Sequence, residues 1–138
     1  MADHPRYDIF ISYAGGDEPW ASKFVDALTK EGVSVWYDRA QLKGGERWQE
    51  TIERALRESR IVIALLSPDY LSNPTTFFEL GAAVGDKKKI IPILTQDVEQ
   101  TRVPSLLRER YWVREPSPQL AGKRVAEVLE QDRIAEAK

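Results

Sequence analysis

The sequence predicts an α/β domain: a five-stranded parallel sheet with helices on both faces. Three observations carry that prediction. Short apolar, β-branched runs alternate with stretches whose apolar residues recur at helical spacing, the order expected of successive βα units. Two of those runs, RIVIALLS and KKKIIPIL, have continuously apolar cores, as strands covered on both faces do. With 42% hydrophobic and 30% charged residues, 138 residues make one domain with a single core and not a disordered chain.

YDIFISY (Tyr7 to Tyr13) is the first strand, and GGDEP after it punctuates the chain. PWASKFVDALTKEG then places Trp20, Phe24, Val25 and Leu28 on one helical face, with Gly32 as the stop. VSVWY (Val33 to Tyr37) reads as a second strand, followed by the polar loop DRAQLKGGE. WQETIERALRES spaces Trp48, Ile52, Ala55 and Leu56 as an amphipathic helix, and Arg60 to Ser67 is the third strand. SPDYLSNP reads as a connection to a third helix carrying TTFFELGAAV, Thr75 to Val84. There Phe77, Leu80 and Val84 fall at i, i+3 and i+7 and are the predicted buried stripe. The KKK run at Lys87 to Lys89 reads as a solvated turn before the fourth strand. VPSLLRER is a short helix or turn, YWV a brief edge strand, and LAGKRVAEVLEQ the last helix. Right-handed crossovers leave few topologies for this order, the flavodoxin-like one being the simplest.

Several function classes drop out early. A formal net charge of −2 supplies no field that draws nucleic acid or an anionic membrane. The chain has no cysteine, so disulfides, thiolate metal sites and a cysteine nucleophile are excluded. The single histidine, His4, sits in the N-terminal stretch beside Pro5, a poor place for a catalytic triad or a metal ligand. No apolar run approaches the roughly 20 residues of a spanning helix. MADHPRYD lacks a signal-type apolar region, so the expectation is a soluble, cytoplasmic protein. The acidic cluster of a phospho-receiver is missing, and AGGDEPW offers Gly15-Gly16 where a dinucleotide fingerprint needs G-x-G-x-x-G. A sheet of this kind binds ligands at the carboxyl ends of its strands. Here those ends are Ser12-Tyr13-Ala14, Asp38-Arg39 and Ser67-Pro68, together with the start of the third helix.

YDIFISYAGGDEPWASKFVDALTKEGVSVWYD, LKGGERWQETIERALRESRIVIALLSPDYL, FELGAA and KKIIPIL together resemble a TIR (Toll/interleukin-1 receptor-like) domain of the bacterial type. The resemblance runs from about Tyr7 to about Leu129 and rests on several boxes in the right order. It implies the flavodoxin-like TIR fold over residues 7–131, with a tail at 1–6 and a tail or the start of a linker at 132–138. Members of the family either signal by assembling with other TIR domains or cleave the nicotinamide–ribose bond of NAD⁺. In the enzymes the essential residue is a glutamate on the third helix, and the matching position is Glu79. The resemblance thus implies an NAD⁺ glycohydrolase or cyclase, activated by self-association and serving anti-phage immunity. The alternative it leaves is a non-enzymatic TIR–TIR module, an adaptor or a host-mimicking effector.

Chemistry accommodates a single carboxylate. Cleaving an N-glycosidic bond builds positive charge on the ribose as neutral nicotinamide departs, and a nearby carboxylate stabilises it. Neither a metal nor a cofactor is needed; NAD⁺ is the substrate. Glu79 lies two residues from Phe77, off the predicted stripe, on a face with the small residues Thr75, Ala82 and Ala83. The competing reading is a solvated surface glutamate. Catalytic relatives commonly have tryptophan where this chain has Thr75, and often cysteine where it has Thr76. Trp48 is a candidate stacking wall in its place, or else a buried anchor of the second helix. Tyr13 and Ala14 match family positions that line the NAD⁺ site, although Tyr13 equally suits the core. Asp38 binds a ribose or caps a turn. Ser67 reads as structural, since no base accompanies it. The DRAQLKGGE loop corresponds to the family's BB loop, with Arg39, Leu42, Gly44 and Gly45 as candidates for self-association. Leu42 is apolar on a polar loop, which suits docking on another TIR domain, and a heterologous contact of that type makes filaments if it does not close.

Overall fold

The computed structural model describes residues 7–36, 48–72, 81, 83–85, 87–95 and 113–137. Its sheet comprises β1 (Tyr7–Ser12), β2 (Val35–Trp36), β3 (Ser59–Leu66), β4 (Lys89–Leu94) and β5 (Val113–Arg114). Their spatial order is β2-β1-β3-β4-β5 and every pairing is parallel, the flavodoxin-like order predicted above. Strand order reverses between β1 and β3, so the crevice above those two strands is the topological switch point. The helices are α1 (Glu18–Lys30), α2 (Trp48–Arg57), α3 (Pro68–Leu71) and α4 (Pro118–Ala137).

Period-two alternation along the strands builds two cores. Ile9, Ile11 and Tyr13 face one side with Ile61, Ile63, Leu65, Ile91 and Ile93, where Phe24 and Leu28 of α1 meet Val125 and Leu129 of α4. Phe10 and Ala14 face the other with Val62, Ala64 and Leu66, beneath Leu56 of α2 and Tyr70 of α3. There Phe10 and Trp36 stack at 4.9 Å with 5° between their planes, tying β2 to the central sheet. Trp20 and Val25, also predicted for the buried face of α1, are half-buried against the first core.

The helix stops follow from local chemistry. Gly32 takes φ +81°, and the amides of Gly32 and Val33 bond back to Thr29 O and Leu28 O, both at 3.0 Å. That paired closure needs a left-handed residue, which glycine supplies without a Cβ penalty. A second glycine sets helix spacing. A Cβ on Gly122 of α4 would lie 2.6 Å from Ala27 Cβ and 3.4 Å from Phe24 O, so α1 and α4 meet backbone to backbone there.

Three sequence expectations need correction. SPDYLSNP is not wholly a connection: Ser67 accepts from Tyr70 N at 3.1 Å and Pro68 opens α3, a capped start followed by proline. In the third helical segment Val84 is 37% exposed while Ala83 is fully buried in the second core. The stripe drawn through Val84 is therefore out of phase at its end; Phe77 and Leu80 lie outside the described residues. Finally, the KKK run is only partly a solvated turn. Lys88 Nζ donates to Ser59 O at 2.7 Å and to Arg57 O at 3.2 Å, and Lys89 pairs with Asp132 at 2.6 Å. The ammonium of Lys88 thus satisfies a carbonyl at the C-terminus of α2, where the helix dipole favours positive charge.

Candidate functional site

The carboxyl edge of the sheet is stitched together across the switch-point crevice. Ser12, the last residue of β1, shares a buried hydrogen bond of 2.9 Å with the hydroxyl of Tyr70 in α3, 58 residues later. Ser67 Oγ donates to Asp17 Oδ2 while accepting from Tyr70 N, so one hydroxyl ties the β1–α1 turn to the cap of α3. Asp69 lies directly against Gly16, where a Cβ would collide with its carboxylate. Gly16 is thus a residue whose missing side chain lets two turns close on each other.

The predicted site residues divide between the faces. Tyr13 is buried on the α1/α4 side, and its hydroxyl donates to Glu18 Oε2 at 2.7 Å. Ala14 is buried on the other side, in the cluster that holds Trp36, Tyr70 and Ala83. Just past the end of β1 the chain stays extended, so these consecutive residues point to opposite faces and join different cores. Trp48 is the first residue of α2. Glu79, Thr75, Asp38, Arg39, Leu42, Gly44 and Gly45 lie outside the described residues. Ala83, four residues after Glu79 and on the face predicted for it, is fully buried beside Tyr70 in the second core. The Ser12–Tyr70 and Ser67–Asp17 pairs were missed by the sequence reading. The Ser-Pro signature of a capped helix was the available clue to the second; nothing local announces the first.

Electrostatics at this edge are unusual for an exposed turn. Burial raises the pKa of Asp17 above its ordinary 3.8, the Ser67 hydrogen bond lowers it in part, and the Asp69 charge raises it again. A carboxyl with a raised native pKa favours folding when protonated, and that contribution is lost as pH rises through 3.8 and the raised value. Asp17→Asn keeps an acceptor for Ser67 and removes the charge. Its melting temperature is expected to exceed the parent's at pH 7, with the gap closing toward pH 4; thermal unfolding at the two pH values checks this.

A second irregularity sits one strand along. Thr95, next after β4, is 7% exposed and its Oγ1 has no hydrogen-bond partner among the described residues. A buried hydroxyl without a partner costs about 1–3 kcal/mol in lost hydration. The near-isosteric Thr95→Val is therefore expected to raise stability by about 1 kcal/mol or more, read from urea midpoints at unchanged slope. Among the described residues no three His, Cys, Asp or Glu side chains gather as a metal site, and no helix is long and apolar enough to cross a membrane.

Comparison with known proteins settles the family. A family model described as the TIR domain matches residues 9–129. The chain belongs to the TIR domain family. Among curated proteins, this TIR domain is 36% identical over 94 residues to the 2′ cyclic ADP-D-ribose synthase AbTIR of Acinetobacter baumannii, covering 64% of this chain and 35% of that protein. It is 33% identical over 97 residues to the NAD(+) hydrolase TcpC of Escherichia coli, covering 66% and 32% respectively. The chain thus spans about a third of the length of these relatives. Among solved structures, the TIR domain of the Toll-related receptor TRR-2 from Hydra magnipapillata superposes with a TM-score of 0.70 at 26% identity, over 94% of this chain and 97% of that one.

Proposed function

We propose that this TIR domain cleaves the bond between nicotinamide and ribose in NAD⁺. The observation that carries the reading is the identity of 33–36% shared with relatives named as an NAD(+) hydrolase and a 2′ cyclic ADP-D-ribose synthase. In the proposed step the C1′–N bond breaks and its electron pair leaves with nicotinamide. Glu79 stabilises the positive charge that develops on the ribose, and a new C1′–O bond forms to water or to a hydroxyl of the substrate itself, whose proton passes to solvent. The first outcome is hydrolysis, the second cyclisation. No metal or cofactor takes part. Ala14, Asp38, Trp48 and Thr75 are proposed to line the NAD⁺ site. Tyr13, with its hydroxyl on Glu18, is assigned to holding the end of β1. Trp48 is favoured as the stacking wall because Thr75 offers no ring.

Activity is proposed to depend on assembly of TIR domains through the loop bearing Arg39, Leu42, Gly44 and Gly45, in open filaments and in the cytoplasm, as part of a bacterial immune response. Nicotinamide release measured over a range of protein concentrations tests both parts. Specific activity is expected to rise with concentration, and Leu42→Asp to hold it at the dilute value. A second reading, a TIR–TIR interaction module without catalysis, is motivated by Thr75. It requires association that Leu42→Asp abolishes and NAD⁺ that is never consumed at any concentration.

A further inference from the structure

Two exposed patches of opposite charge lie toward the amino edge of the sheet, away from the switch-point crevice. The basic one is on the face covered by α2. Arg54 and Arg57, one turn apart near the end of α2, are both exposed and share a side of the helix. Lys88 Nζ on Arg57 O brings the 87–88 turn beside them, and Lys87 is exposed there with φ +57°. The amide of Lys87 bonds to Val84 O and that of Lys88 to Ala83 O, both at 3.0 Å. This is the same paired helix closure that Gly32 makes after α1, and at 32 the left-handed residue is glycine. Glycine at 87 would close the turn without a Cβ penalty, so the lysine is held against a backbone preference. Strain of this kind points to a use for the side chain that causes it.

The acidic patch is on the opposite face. A groove of about 580 Å³ at the seam of α1 and α4 carries Glu31, Glu127 and Glu130, with Lys123, Val33 and Ala126 also in its wall. Glu130 already has another interaction. Glu31 and Glu127 are exposed. Among the described residues their carboxylates have no hydrogen-bonded or ionic partner, and neither do the charged ends of Arg54, Arg57 and Lys87.

We propose that the α1/α4 groove receives Arg54, Arg57 and Lys87 of a second copy of this chain. The signs match: the excess of carboxylate in the groove meets a patch whose free groups are cations. Arginine suits such a seat, because its stem lies along apolar wall while its planar fork pairs with carboxylate. The two patches cover opposite faces of the sheet, so the contact is heterologous and repeats head to tail from copy to copy. It leaves the carboxyl edge of every copy open. It is separate from the loop bearing Leu42 and does not depend on the NAD⁺ reading. Its ion pairs are solvent-exposed, so the contact is weak and strongly sensitive to salt.

Sedimentation velocity at low and at high salt, over a range of protein concentrations, tests the contact. The parent is expected to associate at low salt, with a dissociation constant that rises roughly tenfold or more at high salt. Arg54→Glu with Arg57→Glu, and Glu31→Lys with Glu127→Lys, should each lose the salt-sensitive association, because each sets like charge against like. An equimolar mixture of the two variants should regain it, since reversed patches then meet reversed grooves and parent patches meet parent grooves. The Leu42 loop is unchanged in all three proteins, so its contribution is common to them. Lys87→Gly should raise the melting temperature and weaken the association, a combination that a merely structural lysine does not give. All five positions are exposed, and thermal unfolding checks that each variant is folded. Where a reversal fails to fold, Arg57→Gln and Glu127→Gln take its place, each expected to weaken the association. A parent whose sedimentation ignores salt overturns the proposal. So do folded reversals that associate as the parent does, or a mixture no larger than its components.

Discussion

Glu79→Gln is expected to lower nicotinamide release by two to three orders of magnitude while leaving thermal unfolding close to the parent's. The magnitude follows from what a positioned charge contributes. Removing one preorganised group aimed at developing charge costs about 10²–10³ in turnover in sites of other kinds. Glutamine preserves size and hydrogen bonding, so the loss measures the negative charge and not the shape. KM for NAD⁺ should change far less, because the positive ribose exists only as the bond breaks and the ground state gains little from the carboxylate. Nicotinamide release in Glu79→Gln equal to the parent's would remove Glu79 from the chemistry and leave the adaptor reading in possession.

Gly122→Val should have the largest effect on the fold among the described residues named here. At Gly122 a Cβ would stand 2.6 Å from Ala27 Cβ, well inside van der Waals contact, and 3.4 Å from the carbonyl of Phe24. Neither neighbour is the end of a flexible side chain, so α1 and α4 must separate. Phe24, Leu28, Val125 and Leu129 pack in the core between them, and separation loosens all four. Overpacking of this kind costs about 1–3 kcal/mol, against less than about 1 kcal/mol regained from replacing glycine in a helix. A fall in melting temperature of several degrees is expected, read by circular dichroism. Ala27→Gly combined with Gly122→Ala restores the missing space, and should recover more stability than the two single changes predict by addition. A parent-like Gly122→Val would mean that the two helices can part at no cost.

Much of the architecture was legible because its signals are local and repeated. RIVIALLS and KKKIIPIL announce buried central strands by composition, and Phe24 and Leu28 announce the face of α1 by spacing. The separate faces of Tyr13 and Ala14 were not drawn from the sequence, where both were matched to family positions lining the NAD⁺ site; the structure puts Tyr13 with Ile9 and Ile11, and Ala14 with Phe10. The third helical segment misled at its end, because in GAAV the largest apolar residue is not the buried one. Val84 is exposed and the smaller Ala83 fits the close contact. The hydroxyl pairs at the carboxyl edge were illegible for a different reason. Ser12 meets Tyr70 across 58 residues and Ser67 meets Asp17 across 50, and no spacing within a window reports a bond that only the parallel sheet brings about.

The stack of Trp36 on Phe10 has a consequence for how the domain opens. Both rings are buried in the cluster that holds Leu56, Val62 and Tyr70. Opening free energies within one native protein range from near zero up to the global value, and buried apolar contacts lie toward the high end. Parting Trp36 from Phe10 therefore wets the second core itself, so this edge of the sheet cannot open as a surface event.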